Sequence, residues 1–258
     1  MIQAAVRRED WHYAPHKGLS KVPQITALFW IVKILTTGMG ETTSDFLVHQ
    51  IDPPLAVALG VVIFVTAMVA QLMVPRYNAW VYWLAVVSVS IFGTMAADVL
   101  HVGLGIAYVI STIFFSASLA VIFAGWYRSE GTLSIHSITT RRREAFYWAA
   151  VLATFALGTA AGDMAATSLG LGYLGAGVLF AGVILVPALA YWRFGLPEIP
   201  AFWFAYIMTR PLGASFADWM GVSHARSGLD WGTGPVSLGL AALIFGFVWI
   251  IARKETLA

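Results

Sequence analysis

The chain has no cysteine among its 258 residues, which excludes disulfides, thiolate metal sites and thiol catalysis. Charge is also scarce. Asp, Glu, Lys and Arg make up 11% of the sequence, against roughly 25% in soluble domains. There is no Walker-type phosphate loop and no His-Glu-x-x-His zinc motif. The Gly-Leu-Gly triplets at Gly103 and Gly170 stand inside apolar stretches, not after a soluble strand. Residues 1–21 have no apolar core and carry Arg7, Arg8, Glu9, Asp10 and Lys17, so no signal peptide is expected there. The net charge of +2 gives no reason to expect a nucleic-acid partner.

What is present in quantity is apolar. Hydrophobic residues make up 59% of the chain and the mean hydropathy is +0.79. Runs long enough for a ~30 Å hydrocarbon core, which takes roughly 20 residues, recur along it. The expected fold class is therefore an all-α membrane protein, with the lipid bilayer as its main partner.

One pattern occurs four times: an aromatic residue, Trp, nine residues, Gly, four residues, Asp. The copies are Phe29-Trp30, Gly40 and Asp45; Tyr82-Trp83, Gly93 and Asp98; Tyr147-Trp148, Gly158 and Asp163; and Phe202-Trp203, Gly213 and Asp218. Internal repetition at this period means four copies of one unit. Each unit holds the patterned helix and a plainer apolar one, giving eight transmembrane helices in four parallel two-helix repeats around a pseudo-fourfold axis. Their expected positions are 22–48, 55–75, 77–99, 105–127, 145–167, 173–192, 199–221 and 236–252. The corresponding units are an N-terminal segment 1–21, repeats 22–76 and 77–128, a basic loop 129–144, repeats 145–193 and 198–252, and a tail 253–258. Twelve of the 15 basic residues fall on the side of the two termini, Arg226 alone falls on the other, and Lys33 and Arg210 lie within spans. The positive-inside rule then makes both termini cytoplasmic.

Fifteen helical residues rise about 22 Å and turn to within about 60° of the starting direction. Each Trp and its Asp therefore share one broad face, with the Asp toward the outer end. Each Gly points elsewhere and suits close helix approach or a local break. Four such faces turned inward make a ring of carboxylates near the outer mouth. Acids in a bilayer are costly and mark pathways or sites. A structural explanation also stands, because duplication copies headgroup-level capping acids as faithfully as functional ones.

The symmetry is broken where charge is added. Repeat one has Lys33 and Glu41 where the others have Val86, Val151, Tyr206 and Thr94, Thr159, Ala214. Repeat four has Arg210 where the others have Thr37, Ser90 and Phe155. Lys33 and Glu41 are about 12 Å apart along one helix, so Glu41 with Arg210 across the bundle is the expected pair. Glu41 and four Asp against Lys33 and Arg210 leave −5 + 2 = −3 if all ionise, a deficit that protons or cations must fill. His49, His101 and His224 follow three of the Asp residues on the outer side, and imidazole beside carboxylate suits a divalent metal. For each of these His residues alone, an ordinary loop histidine is the simpler reading. His12 and His16 flank Trp11 and Tyr13 in a basic segment that reads as interfacial. The Trp residues read as mainly structural.

The stretch Lys21-Val-Pro-Gln-Ile-Thr-Ala-Leu-Phe-Trp30, with Lys33 and Gly40-Glu-Thr-Thr-Ser-Asp45, resembles an uncharacterised family of bacterial membrane proteins. Those proteins are built of four tandem two-helix repeats with a shared tryptophan. The resemblance runs from Lys21 to the C terminus. It implies the repeat architecture and the bacterial inner membrane, and brings no activity with it.

Three functions remain open at this stage. The first is a transporter or channel for a small cation, divalent metal before proton, with Glu41, Asp45, Asp98, Asp163 and Asp218 as the pathway and the metal as substrate. The second is a membrane scaffold or assembly protein in which the acids are structural. The third, a membrane enzyme or cofactor binder, has least behind it: Gly38-Met-Gly40-Glu41 has Glu where intramembrane aspartyl proteases have Asp, so no enzyme is expected. No residue pattern specifies a protein partner or a resident cofactor.

Overall fold

The structure is a computed structural model that describes residues 20–256. His12, His16, Trp11, Tyr13 and most of the N-terminal segment lie outside the described residues. Nine α-helices occur among the described residues: α1 (Ala27–Gln50), α2 (Pro53–Met73), α3 (Ala79–Asp98), α4 (Tyr108–Glu130), α5 (Arg141–Asp163), α6 (Gly172–Val183), α7 (Leu185–Phe194), α8 (Glu198–Gly221) and α9 (Thr233–Thr256).

Local chemistry sets the boundaries. Thr26, Asn78 and Thr140 cap α1, α3 and α5 with side-chain oxygens that accept from Phe29, Val81 and Arg143 amides, which satisfies otherwise orphaned N–H groups. Gly131 and Gly195 end α4 and α7 at φ +70° and +66°, in the left-handed region that glycine enters at least cost. The sixth expected span is two helices that meet at Ile184. Pro187 is the cause, since its nitrogen cannot donate to the carbonyl of Val183 one turn back. The loop expected over 129–144 is shorter, because α5 begins at Arg141. A π-helical turn follows α3 at Val99–Gly103 and α5 at Met164–Ser168, directly after Asp98 and Asp163.

The helices form two shells. In the inner one α1 packs on α3, α3 on α5, α5 on α8, and α8 back on α1, so the patterned helices of the four repeats close into a ring. The outer helices follow an offset rule. Each packs chiefly against the inner helix of the next repeat: α2 on α3, α4 on α5, α6 and α7 on α8, and α9 on α1. The last contact joins the fourth repeat to the first.

Six helical segments are long and apolar enough to cross a membrane, which points to a multi-pass membrane protein. They are Pro53–Met73, Ala79–Gly103, Tyr108–Glu130, Arg141–Ser168, Gly172–Phe194 and Thr233–Glu255. In α3 and α5 61% and 67% of the apolar window is buried, against 17–22% in the four outer segments, so the outer shell carries the lipid-like surface. The helices α1 and α8 are not among the six, although eight spans were expected. They carry Lys33, Glu41 and Asp45, and Glu198, Arg210 and Asp218, and of these Lys33, Glu41, Arg210 and Asp218 are buried in the bundle.

Candidate functional site

The ring is held by its repeated glycines. A Cβ at Gly40 would lie 1.8 Å from Ser90 Oγ, at Gly93 2.7 Å from Phe155 Cβ, at Gly158 2.2 Å from Arg210 Cγ, and at Gly213 1.8 Å from Thr37 Oγ1. The four residues met are the four equivalents of one position, eight before each Asp. Every repeat thus sets its glycine against that position in the next repeat, and the fourth sets its own against the first. Only glycine permits this approach.

At the end where the inner helices begin, aromatic side chains fill the axis. Phe29, Tyr82, Tyr147 and Tyr206 are buried, and Phe202 packs against Phe29 and Tyr206 at 6.3 and 5.4 Å between ring centroids. The Tyr82 and Tyr147 hydroxyls are 2.5 Å apart. Trp83, Trp148 and Trp203 are buried around this layer, Trp30 is half-buried, and Trp203 Nε1 donates to the Leu133 carbonyl at 2.9 Å.

Charge comes next along the axis. Lys33 Nζ is buried, 4.0 Å from the Phe155 ring centroid and 4.2 Å from that of Tyr206, and has no hydrogen-bond partner among the described residues. Cation–π attraction of up to about 2 kcal/mol per desolvated contact offsets part of its lost hydration. The Arg210 guanidinium, fully buried, bonds groups of all three other repeats. It donates to Glu41 Oε2 at 2.7 Å, to the Thr37 carbonyl at 3.2 Å, to Thr159 Oγ1 at 2.6 Å and to Thr94 Oγ1. Glu41 thus pairs with Arg210 and not with Lys33.

Beyond this plug lie the acids. Glu41, Asp163 and Asp218 each offer a carboxylate oxygen, all within 4.8 Å of one another, and Asp98, His101 and Asp163 form a second such group. Asp163 belongs to both. His101 Nδ1 is 3.7 Å from Asp163 Oδ2, and its ring meets Tyr108 edge-on at 4.6 Å. Neither of its ring nitrogens, nor the buried Asp218 Oδ1, has a hydrogen-bond partner among the described residues.

A family model described as Repeat of Unknown Function (DUF347) matches the chain four times, at residues 28–77, 81–132, 146–196 and 201–256. The chain belongs to the DUF347 family. Each match takes in one inner helix and the outer helix that follows it. No curated protein and no solved structure matches significantly, so the family brings the architecture and no activity.

In this DUF347 protein Glu41, Asp163 and Asp218 of the five expected acids meet in one group, and Asp98 meets Asp163 in the other. Asp45 is half-buried and joins neither acid group. Glu41 stands one turn, about 6 Å, deeper along α1. His101 was expected in an outer loop, but it is buried in the π turn after α3. His49 and His224 are exposed, and their Nδ1 atoms lie 2.6 Å from the Asp45 carbonyl and 2.8 Å from the Gly228 carbonyl. Thr94 and Thr159 are ligands of the plug that no motif announces, although both stand at the Glu41 position of their repeats. A second buried pair, Lys21 with Glu144 at 2.5 Å, also engages Gln71 at 3.1 Å. It ties the chain before α1 to α2 and α5, and its only sequence trace is a lone glutamine in an apolar run.

Proposed function

We propose that this DUF347 protein moves a small cation across the bacterial inner membrane, a divalent metal in preference to a proton. In this reading all eight rods span the bilayer, α1 and α8 shielded from lipid by the outer shell. Both termini are cytoplasmic and the acid end faces outward. The observation that carries it is the meeting of Glu41, Asp163 and Asp218 within 4.8 Å from three different helices. At that separation each ionised pair repels by about 3.5 kcal/mol even at an effective dielectric constant of 20. Arg210 supplies one positive charge, so the cluster calls for further cations or protons. His101 beside Asp98 and Asp163 favours a metal that accepts imidazole as well as carboxylate.

The Arg210–Glu41 plug and the aromatic layer suit a carrier closed toward the cytoplasm, in which the guanidinium must move for a cation to pass. No bond-making chemistry is asked of the acids, so the protein is read as a transporter and not an enzyme. The test is flux in proteoliposomes for Mn²⁺, Zn²⁺, Ni²⁺, Co²⁺ and Mg²⁺, with a pH dye for protons, beside Asp163→Asn and Asp218→Asn. Flux that both substitutions abolish is expected. Folded protein without flux, or variants that carry it normally, would overturn the reading.

A further inference from the structure

We propose that the acid end contains two cation stations in series that share Asp163: an outer one of Asp98, His101 and Asp163, and an inner one of Glu41, Asp163 and Asp218. The inference rests on the cation reading above and deepens it, since the donor sets specify a transition-metal dication as substrate.

Three observations support it. Each group independently brings one ligand atom per residue within 4.8 Å, and Asp163 alone is common to both. The groups are offset along the axis. Glu41 stands four residues, about 6 Å of α-helical rise, before the Asp position of its repeat, and His101 stands three residues after the Asp position of its own, in the π turn. Asp98, Asp163 and Asp218 hold the same repeat position, between these two. Each station also contains a buried atom without a partner: both ring nitrogens of His101 in the outer one and Asp218 Oδ1 in the inner one. Buried polar side chains nearly always find a partner. An imidazole whose side chain is 2% exposed, facing a carboxylate oxygen at 3.7 Å, is oriented to share a cation with it.

The donors differ in kind. The outer station offers nitrogen and oxygen, which suits Mn²⁺, Fe²⁺, Co²⁺, Ni²⁺ or Zn²⁺ and disfavours Mg²⁺ and Ca²⁺. The inner station offers oxygen only, and Arg210 holds one Glu41 oxygen at 2.7 Å. A cation that passes inward therefore keeps Asp163 as a ligand, exchanges His101 and Asp98 for Asp218 and Glu41, and competes with the guanidinium.

Co²⁺ bound to the full chain in lipid nanodiscs tests this, counted by equilibrium dialysis and read by its visible absorption. The parent protein is expected to bind two Co²⁺ per chain. His101→Phe keeps a ring against Tyr108 and loses no hydrogen bond among the described residues, so it is expected to fold, to bind one Co²⁺, and to lose the nitrogen-dependent part of the spectrum. Asp218→Asn is expected to bind one and keep that part, and Asp163→Asn to lose both. A single Co²⁺ in the parent, none in folded parent protein, or an Asp163→Asn protein that loses only one would overturn the proposal. Binding is read without flux, so the two readings fail separately. Two Co²⁺ with no transport would uphold the stations and remove the transporter.

Discussion

Removing the axial guanidinium has a cost that can be worked out from its neighbours. Arg210 is fully buried, Glu41 almost so, and they meet at 2.7 Å. In Arg210→Met the thioether fills much of the same volume, and Thr94 still has the Ser90 carbonyl at 3.1 Å as an acceptor. Glu41 has no such recourse, because it stays buried beside Asp163 and Asp218 without its cation. Leaving one member of a buried pair costs about 3–5 kcal/mol, which for a chain of this length lowers the melting temperature by roughly 6–20 °C. Glu41→Gln strands the guanidinium in turn, at a similar cost. The double variant contains neither stranded charge and loses a few neutral hydrogen bonds at about 1 kcal/mol each. The two single costs are therefore expected to exceed the double by a coupling of at least about 2 kcal/mol, read from unfolding of the purified proteins in one detergent. Costs that add, or single variants within about 1 kcal/mol of the parent, would refute the axial pair.

Gly158→Ala drives a Cβ to 2.2 Å from Arg210 Cγ and is expected to cost at least about 1–3 kcal/mol, whereas Gly239→Ala, whose Cβ meets nothing within 4 Å, is expected to stabilise α9 by about 1 kcal/mol; equal effects in thermal unfolding would contradict the ring packing. Lys33→Met removes a buried amino group that has no hydrogen bond among the described residues, so its melting temperature is expected to match or exceed that of the parent, and a lower one would mean that the group is held by more than burial against two aromatic rings. Thr42 and Ser237 hydroxyls are 2.8 Å apart across the α1–α9 contact. In a chain with no other cysteine, Thr42→Cys with Ser237→Cys is expected to form an intramolecular disulfide that keeps the two halves together on a non-reducing gel after cleavage between α5 and α6. Failure to crosslink would argue that the first and fourth repeats do not meet.

The repeat spacing made the inner shell legible. Trp, Gly and Asp at fixed intervals identified the four helices, their common direction and the faces that meet. Close approach by Gly40, Gly93, Gly158 and Gly213 was one of two readings open for those positions. The offset of the outer helices is not legible, because Ala56, Gly60, Ala67 and Gln71 mark the buried face of α2 without saying which inner helix that face meets. The placement of His101 was hidden for a different reason. A π turn changes the angle per residue just after Asp98, so extrapolating the α-helical face, or assigning a loop, both misplace a histidine three residues on. Spacing alone makes the four Asp equivalent, and it does not show which of them share a 4.8 Å group. What breaks the equivalence is Glu41, an acid one turn deeper that the other repeats lack.

That break shows how a duplicated bundle can acquire an asymmetric axis. Four guanidiniums at the Arg210 position would repel one another in the buried axis, and four Phe155 side chains would fill it. The lock between repeats asks little of that position. Each glycine meets mainly atoms near the backbone of its neighbour, such as Cβ of Phe155, Cβ and Cγ of Arg210, or Cβ and the hydroxyl of Ser90 and Thr37. The remainder of the side chain is free to vary without moving the helices. Thr37, Ser90, Phe155 and Arg210 all satisfy the same packing: the two hydroxyls bond backbone carbonyls at the helix contacts, while the Phe155 ring reaches Lys33 and the Arg210 guanidinium reaches Glu41. Packing therefore constrains the glycine in every repeat, and the chemistry of the axis is set one repeat at a time. Gly158 tests this directly. Its substitution should disturb the Arg210–Glu41 pair as well as the fold, whereas the equivalent change at Gly93, which meets Phe155, should destabilise the bundle with less effect on that pair.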